Sequence, residues 1–146
     1  MSLDQESVVH GLIRTVTSTD RLESMNFRQV NRNAILSLGT EDDFPYLTVD
    51  MFNLPGTQEM QGTYLTPVIQ LAGSYRAVEY EWGRWLAKFE SLLSCMYWRS
   101  ATVWLETELS GQHVFSWQCQ GDYHQPGQRI LQVCCEWEHE VGFVRP

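Results

Sequence analysis

Lysine is nearly absent from this chain of 146 residues: Lys88 is the only one, beside nine arginines. Ten basic against eighteen acidic residues leave a net charge of −8. Such a chain repels nucleic-acid phosphates, whose recognition needs a basic stripe. Long hydrophobic runs are also missing. No segment approaches the roughly 18 apolar residues that a membrane-spanning helix needs. The first thirty residues lack the basic region and apolar stretch of a secretory signal. A soluble, cytoplasmic protein is therefore expected. The four cysteines, at 95, 119, 134 and 135, make no evenly spaced framework, so reduced thiols are expected rather than disulfides. There is no P-loop, Rossmann glycine pattern, G-x-S-x-G elbow or H-E-x-x-H motif. No stretch resembles the signature of a known family.

What is present suits one ordinary globular domain spanning residues 1–146. Hydrophobic residues make up 43% and charged residues 19%, and the length lies in the common range of about 100–150 residues for a domain. No repeat, low-complexity stretch or linker divides it. All six tryptophans fall between Trp82 and Trp137.

The N-terminal part reads as helical. Val8, Val9, Leu12, Ile13 and Val16 recur at helical spacing behind a capping-box pair, Ser2 and Gln5. Asp20 followed by Glu23 is a second cap signal, with Leu22, Met25 and Val30 lining a short second helix. Ala34–Leu38, closed by Gly39, and Tyr46–Phe52 read as strands. Residues 53–63, with Pro55, Gly56 and Gly62, form a long loop.

The strongest periodicity lies in the middle. Leu71, Tyr75, Val78, Trp82, Trp85, Phe89, Leu92 and Met96 alternate intervals of four and three, a heptad seam. Thr66 before Pro67 suits a helix start. One long amphipathic helix from about Pro67 to about Tyr97 is the main expectation. Gly73 and Gly83 speak against it, since each costs about 1 kcal/mol inside a helix. The alternative makes residues 63–72 an edge strand, with the helix starting near Glu79.

Strands follow. Thr102–Leu109 and His113–Gln120 form a hairpin. A three-residue loop, Ser110–Gly111–Gln112, pairs Leu109 with His113, Thr107 with Phe115, Leu105 with Trp117 and Val103 with Cys119. That register keeps one face apolar, and Gly111 supplies the positive φ the turn needs. Residues 121–128 form a turn-rich loop, and Ile130–Val141 a third strand. The fold expected is α+β: N-terminal helices, then a long central helix packed on an antiparallel sheet.

Several residue groups could carry chemistry. Cys119 with His124, and Cys134 with His139, share a spacing that suggests zinc. In a strand, however, Cys134 and His139 point to opposite faces. Cys135 and His139 share a face but stand about 13 Å apart, too far for one ion; no metal or cofactor is expected. Cys95 lies near a helix C-terminus, the wrong end for lowering a thiol pKa. Asp122, Tyr123 and His124 gather an acid, a phenol and an imidazole on one loop. Glu136, Glu138 and Glu140 alternate along the last strand, and Glu106 and Glu108 project outward from the hairpin. Trp104 shares that polar side, where a large aromatic marks either a covered position or an interaction site.

The leading functional reading is a non-catalytic interaction protein, immunity-like or adaptor-like. It docks a basic partner through an acidic sheet face formed by Glu106, Glu108, Glu136, Glu138 and Glu140, with Trp104 as anchor. Self-association through the heptad seam would make it a homodimer. The alternative is a small-molecule domain with a pocket lined by Trp82, Trp85 and Trp117. An enzyme using His113, His124 or His139 with a carboxylate is the third reading.

Overall fold

The computed structural model describes residues 5–53, 68–119, 121–128 and 132–137. They form an α+β fold. The strands are β1 (Glu6–Arg14), β2 (Phe52–Asn53), β3 (Val68–Arg76), β4 (Ser100–Thr107), β5 (Gly111–Gln118) and β6 (Gln132–Trp137). The helices are α1 (Arg21–Leu36) and α2 (Trp82–Leu93). All six strands join one antiparallel sheet in the order β2-β3-β1-β4-β5-β6. Because β1 runs antiparallel to both β3 and β4, those two run parallel to each other. With α2 between them in sequence, they form a split β-α-β unit around β1.

Two segments expected to be helical are strands. Residues 6–14 form β1, in which Val9 and Ile13 are buried while Val8 and Leu12 alternate to the other face. An interval of four returns to the same side of a helix and of a strand. The β-branched residues favour the strand. The expected helix from Pro67 splits for the same reason: Val68–Arg76 is strand, Val78–Glu81 a 3₁₀ turn, and α2 begins only at Trp82. All eight seam positions are still buried, because Leu71 and Tyr75 share one strand face. The seam is thus spent on the chain's own core. Gly73 sits in strand, and the reading with an edge strand before the helix lies nearer the structure. Ser2, residues 54–63 and the Thr66–Pro67 cap lie outside the described residues.

α1 begins as expected. Asp20 caps it, its carboxylate accepting from the N–H groups of Leu22 (2.9 Å) and Glu23 (3.4 Å). The helix runs on through Leu36 and absorbs most of the expected strand Ala34–Leu38. It buries Phe27, Asn31 and Ile35, whereas Leu22 and Met25 stay exposed. Asn31 fixes its docking by pairing with the Tyr97 backbone: its amide donates to Tyr97 O (2.9 Å) and accepts from Tyr97 N–H (2.7 Å). The expected strand Tyr46–Phe52 contracts to a 3₁₀ turn, Val49–Met51, followed by β2. Local bonds hold it so: Val49 N–H donates to Gly39 O (2.9 Å), and the Thr48 hydroxyl to Asp50.

The β4–β5 hairpin has a three-residue loop, but it is Glu108–Leu109–Ser110, two residues earlier than expected. Leu105 pairs with His113, Val103 with Phe115 and Ala101 with Trp117. The loop moves by two and the register by four, so the residues that stay in strand keep their expected faces, while Glu108 and Leu109 pass into the turn. Gly111, with φ of 76°, follows the loop in the bulge position instead of sitting within it. Ser110 locks the turn: its N–H donates to Thr107 Oγ1 (2.9 Å), and its Oγ lies 2.6 Å from Thr107 Oγ1 and 3.1 Å from His113 Nε2.

The core lies between α2 and one sheet face. Trp82, Trp85, Phe89 and Trp117 are fully buried and pack as consecutive rings, with centroids 4.8, 5.2 and 5.0 Å apart. Three indole N–H groups are satisfied: Trp85 on Tyr75 Oη (3.0 Å), Trp98 on Leu93 O (2.8 Å) and Trp117 on Glu90 (2.8 Å). The Trp82 N–H meets no acceptor among the described residues.

Candidate interaction surface

The sheet face turned away from α2 carries the half-buried residues His10, Leu12 and Trp104. His10 stands opposite Trp104 in the β1–β4 register, and their rings stack at 5.2 Å, 8° from parallel. The cross-strand row continues through Val114 to Glu136 on one side and to Ala72 on the other. The next row holds Ser74, Val8, Glu106 and Gln112. Here Glu106 lies 3.9 Å from His10 Nε2 and accepts from the Gln112 amide (3.3 Å). A shallow cleft of about 380 Å³ opens on this face, lined by His10, Leu12, Met51, Gln70, Ala72 and Trp104 among others.

This places the residues proposed from sequence. Trp104 and Glu106 lie side by side on the face opposite α2. Glu136 occupies the register position beyond Val114. Glu108 is exposed but sits in the hairpin turn, because β4 ends at Thr107, so it leaves the proposed strand face. Glu138, Glu140 and His139 lie outside the described residues.

The loop group does not converge into a site. His124 is fully buried, stacks on Trp98 at 5.0 Å, and turns both ring nitrogens toward carbonyls, Met96 O and Gln128 O, each at 2.9 Å. It ties the loop to the end of α2. Tyr123 packs on Phe27 (5.7 Å) and Tyr97 (6.3 Å), while Asp122 is exposed. Cys119 and Cys95 are free thiols. Burial pushes the Cys119 thiol up, and the Asp122 charge adds to the rise. No group of three or more His, Cys, Asp or Glu among the described residues could hold a metal ion. No described helix is long and apolar enough to cross a membrane.

A second cleft, of about 530 Å³, lies at the β3 edge. Its walls include Glu41, Asp42, Tyr46, Asp50, Ala72 and Ser74, and it shares Met51 and Ala72 with the first. In the sequence this region shows only a short acidic run, Glu41–Asp43, since the parts of the cleft converge only through tertiary contacts. Lys88 braces the wall, its ammonium donating to Asp42 (2.9 Å), Asp43 O (2.7 Å) and Pro45 O (3.0 Å). Burial alone would raise the Asp42 carboxyl. The hydrogen bonds from Lys88 and from Leu47 N–H, with the Lys88 charge, hold it below its usual value. Tyr75 anchors the floor: its hydroxyl donates to Tyr46 O, lies 3.3 Å from Met51 Sδ and accepts from Trp85. Burial pushes this phenol up to about 12, and the charges of Asp42 and Asp50 add to the rise.

Compared with protein-family models, curated proteins and solved structures, the chain matches none.

Proposed function

We propose that the protein is a non-catalytic interaction domain that docks a basic partner on the sheet face opposite α2. The observation that carries this reading is Trp104. An indole on that face, braced by a stacked histidine and flanked by a carboxylate, has the make-up of an interface hot spot. Guanidinium and ammonium groups are attracted both to an indole face and to a nearby carboxylate. The net charge of −8 favours encounter with a basic partner over a second copy of this chain. The free thiols of Cys95 and Cys119 suit the cytoplasmic setting that belongs to this reading.

The test is an array of Arg- and Lys-rich peptides bearing aliphatic residues, probed with the wild type and with Trp104→Ala/Glu106→Lys. Far-ultraviolet circular dichroism should be the same for both, as the two side chains lie outside the core. Captured peptides should lose about tenfold in affinity in the variant, the loss of a single hot spot. An unchanged capture pattern would end this reading.

A further inference from the structure

We propose that the β3 edge from Ala72 to Tyr75 receives an extended basic peptide as an added strand, seated in the acidic cleft. The inference shares a basic partner with the function proposed above, but it uses the sheet edge instead of the sheet face.

Among the described strands, the β3 ladder is complete on one side only. On one side β3 pairs with β1 along all nine residues. On the other side only Leu71 and Gln70 have strand partners, Phe52 and Asn53. Beyond Leu71, no described strand covers that edge. A strand there has alternate N–H and C=O groups facing outward, which is a template for another strand. Natural edges are blocked by lysine, proline or bulges. Ala72, Gly73 and Ser74 bring none of these, and small side chains let a second backbone approach closely.

The cleft supplies the space. Where β2 would continue backward, the chain turns aside through Val49–Met51 and a cleft opens between this segment and β3, with the Met51 side chain reaching Gly73. Ala72 to Tyr75 spans about 10 Å at strand rise, enough for about four residues of added chain. The far wall is preformed. Lys88 pins three of its acceptors, and Val49 N–H is bonded to Gly39 O. Binding then costs little ordering of the receptor.

The lining of the cleft is acidic. Glu41, Asp42 and Asp50 line the cleft, and no Lys or Arg does. Asp42 is answered by Lys88, which leaves Glu41 and Asp50 facing the occupant. Backbone pairing supplies affinity in this mode and flanking side chains supply specificity, so the added strand is basic.

The probe is an octapeptide of alternating lysine and valine, used with the full chain. Titration calorimetry measures affinity, and amide hydrogen exchange locates the contact. The expected result is binding that weakens with salt and slows exchange at amides between Ala72 and Tyr75. N-methylation of alternate peptide residues removes the pairing edge without touching the protein, and should cut affinity at least tenfold. Glu41→Lys/Asp50→Lys should do the same, while Trp104→Ala should not. No binding, or equal binding of the N-methylated peptide, would overturn the proposal. Loss of binding on Trp104→Ala, with protection at residues 8–12 and 102–106 instead, would overturn it too while leaving the face-docking function intact.

Discussion

Replacing Lys88 with methionine should loosen the acidic cleft and destabilise the whole fold. Methionine keeps most of the aliphatic stem that Lys88 extends from α2 but removes all three donors. Asp42, Asp43 O and Pro45 O each lose a charged hydrogen-bond partner. Each such bond is worth about 1.5–3 kcal/mol when dry. The Lys88 side chain is 27% exposed, so water replaces part of it, and bonds that share one loop do not add. A net loss of about 2–3 kcal/mol follows. At about 2–4 °C per kcal/mol for chains near this size, Tm should fall by roughly 5–10 °C. Thermal unfolding followed by circular dichroism measures it. The pH dependence gives an independent check. The Asp42 carboxyl is held below its usual 3.8 in the folded state. Its share of stability is therefore full above that value and fades as pH falls through the lowered one. The gap between wild type and Lys88→Met should narrow as the medium is taken well below pH 4. A Tm change within about 2 °C, flat with pH, would refute the reasoning, because it would make this contact an ordinary exposed ion pair.

Gly11→Ala should cost about 1–3 kcal/mol in urea unfolding, the price of overpacking. The new Cβ would stand 2.6 Å from the Thr102 carbonyl oxygen and 3.0 Å from Val103 Cγ2, so β1 and β4 must separate; an unchanged midpoint would contradict this geometry. Tyr75→Phe should destabilise by about 1–3 kcal/mol, because it leaves the buried Trp85 N–H without its acceptor. In the wild type, spectrophotometric titration should show one tyrosine ionising near 12. Because the folded value is the higher one, that group's stabilisation holds below 10 and fades as pH rises from 10 to 12. Trp98→Phe should cost more than Trp82→Phe by about 1 kcal/mol in the same unfolding assay, since only the former gives up an indole hydrogen bond, that to Leu93 O.

How far the sequence foretold this structure depends on what the intervals could decide. Spacing at four and three did not decide by itself: Trp82, Trp85 and Phe89 lie in α2, while Leu71, Tyr75 and Val78, spaced in the same way, lie in β3 and the 3₁₀ turn. Pairs spaced at four alone, such as Val9 with Ile13 or Leu71 with Tyr75, fit a helix and a strand equally. Their burial could be read, but their conformation could not. The hairpin shows the same division. Side-chain facing fixed which residues share a side, while the loop could slide by two without changing the faces of those that stay in strand. Trp104 was legible as the aromatic on a polar side because alternation alone places it. Its brace, His10, was not, because that contact crosses from β1 to β4. The edge cleft was hidden for the same reason: Lys88, Asp42 and Tyr75 meet only after α2 docks.

The central place of β1 also governs how the chain can assemble as it is made. Of the described strands β1 is synthesised before the others, yet its two partners, β3 and β4, are complete only with Arg76 and Thr107. Until then Val9 and Ile13 have no partner sheet, and few local contacts can substitute. Such distant pairing makes folding slow and leaves apolar strand surface open meanwhile. Synthesis of this protein therefore includes a long interval in which a nascent-chain chaperone has something to hold. Moving β1 behind β6 by circular permutation would let β3 and β4 be made before the strand that joins them, and so shorten that interval.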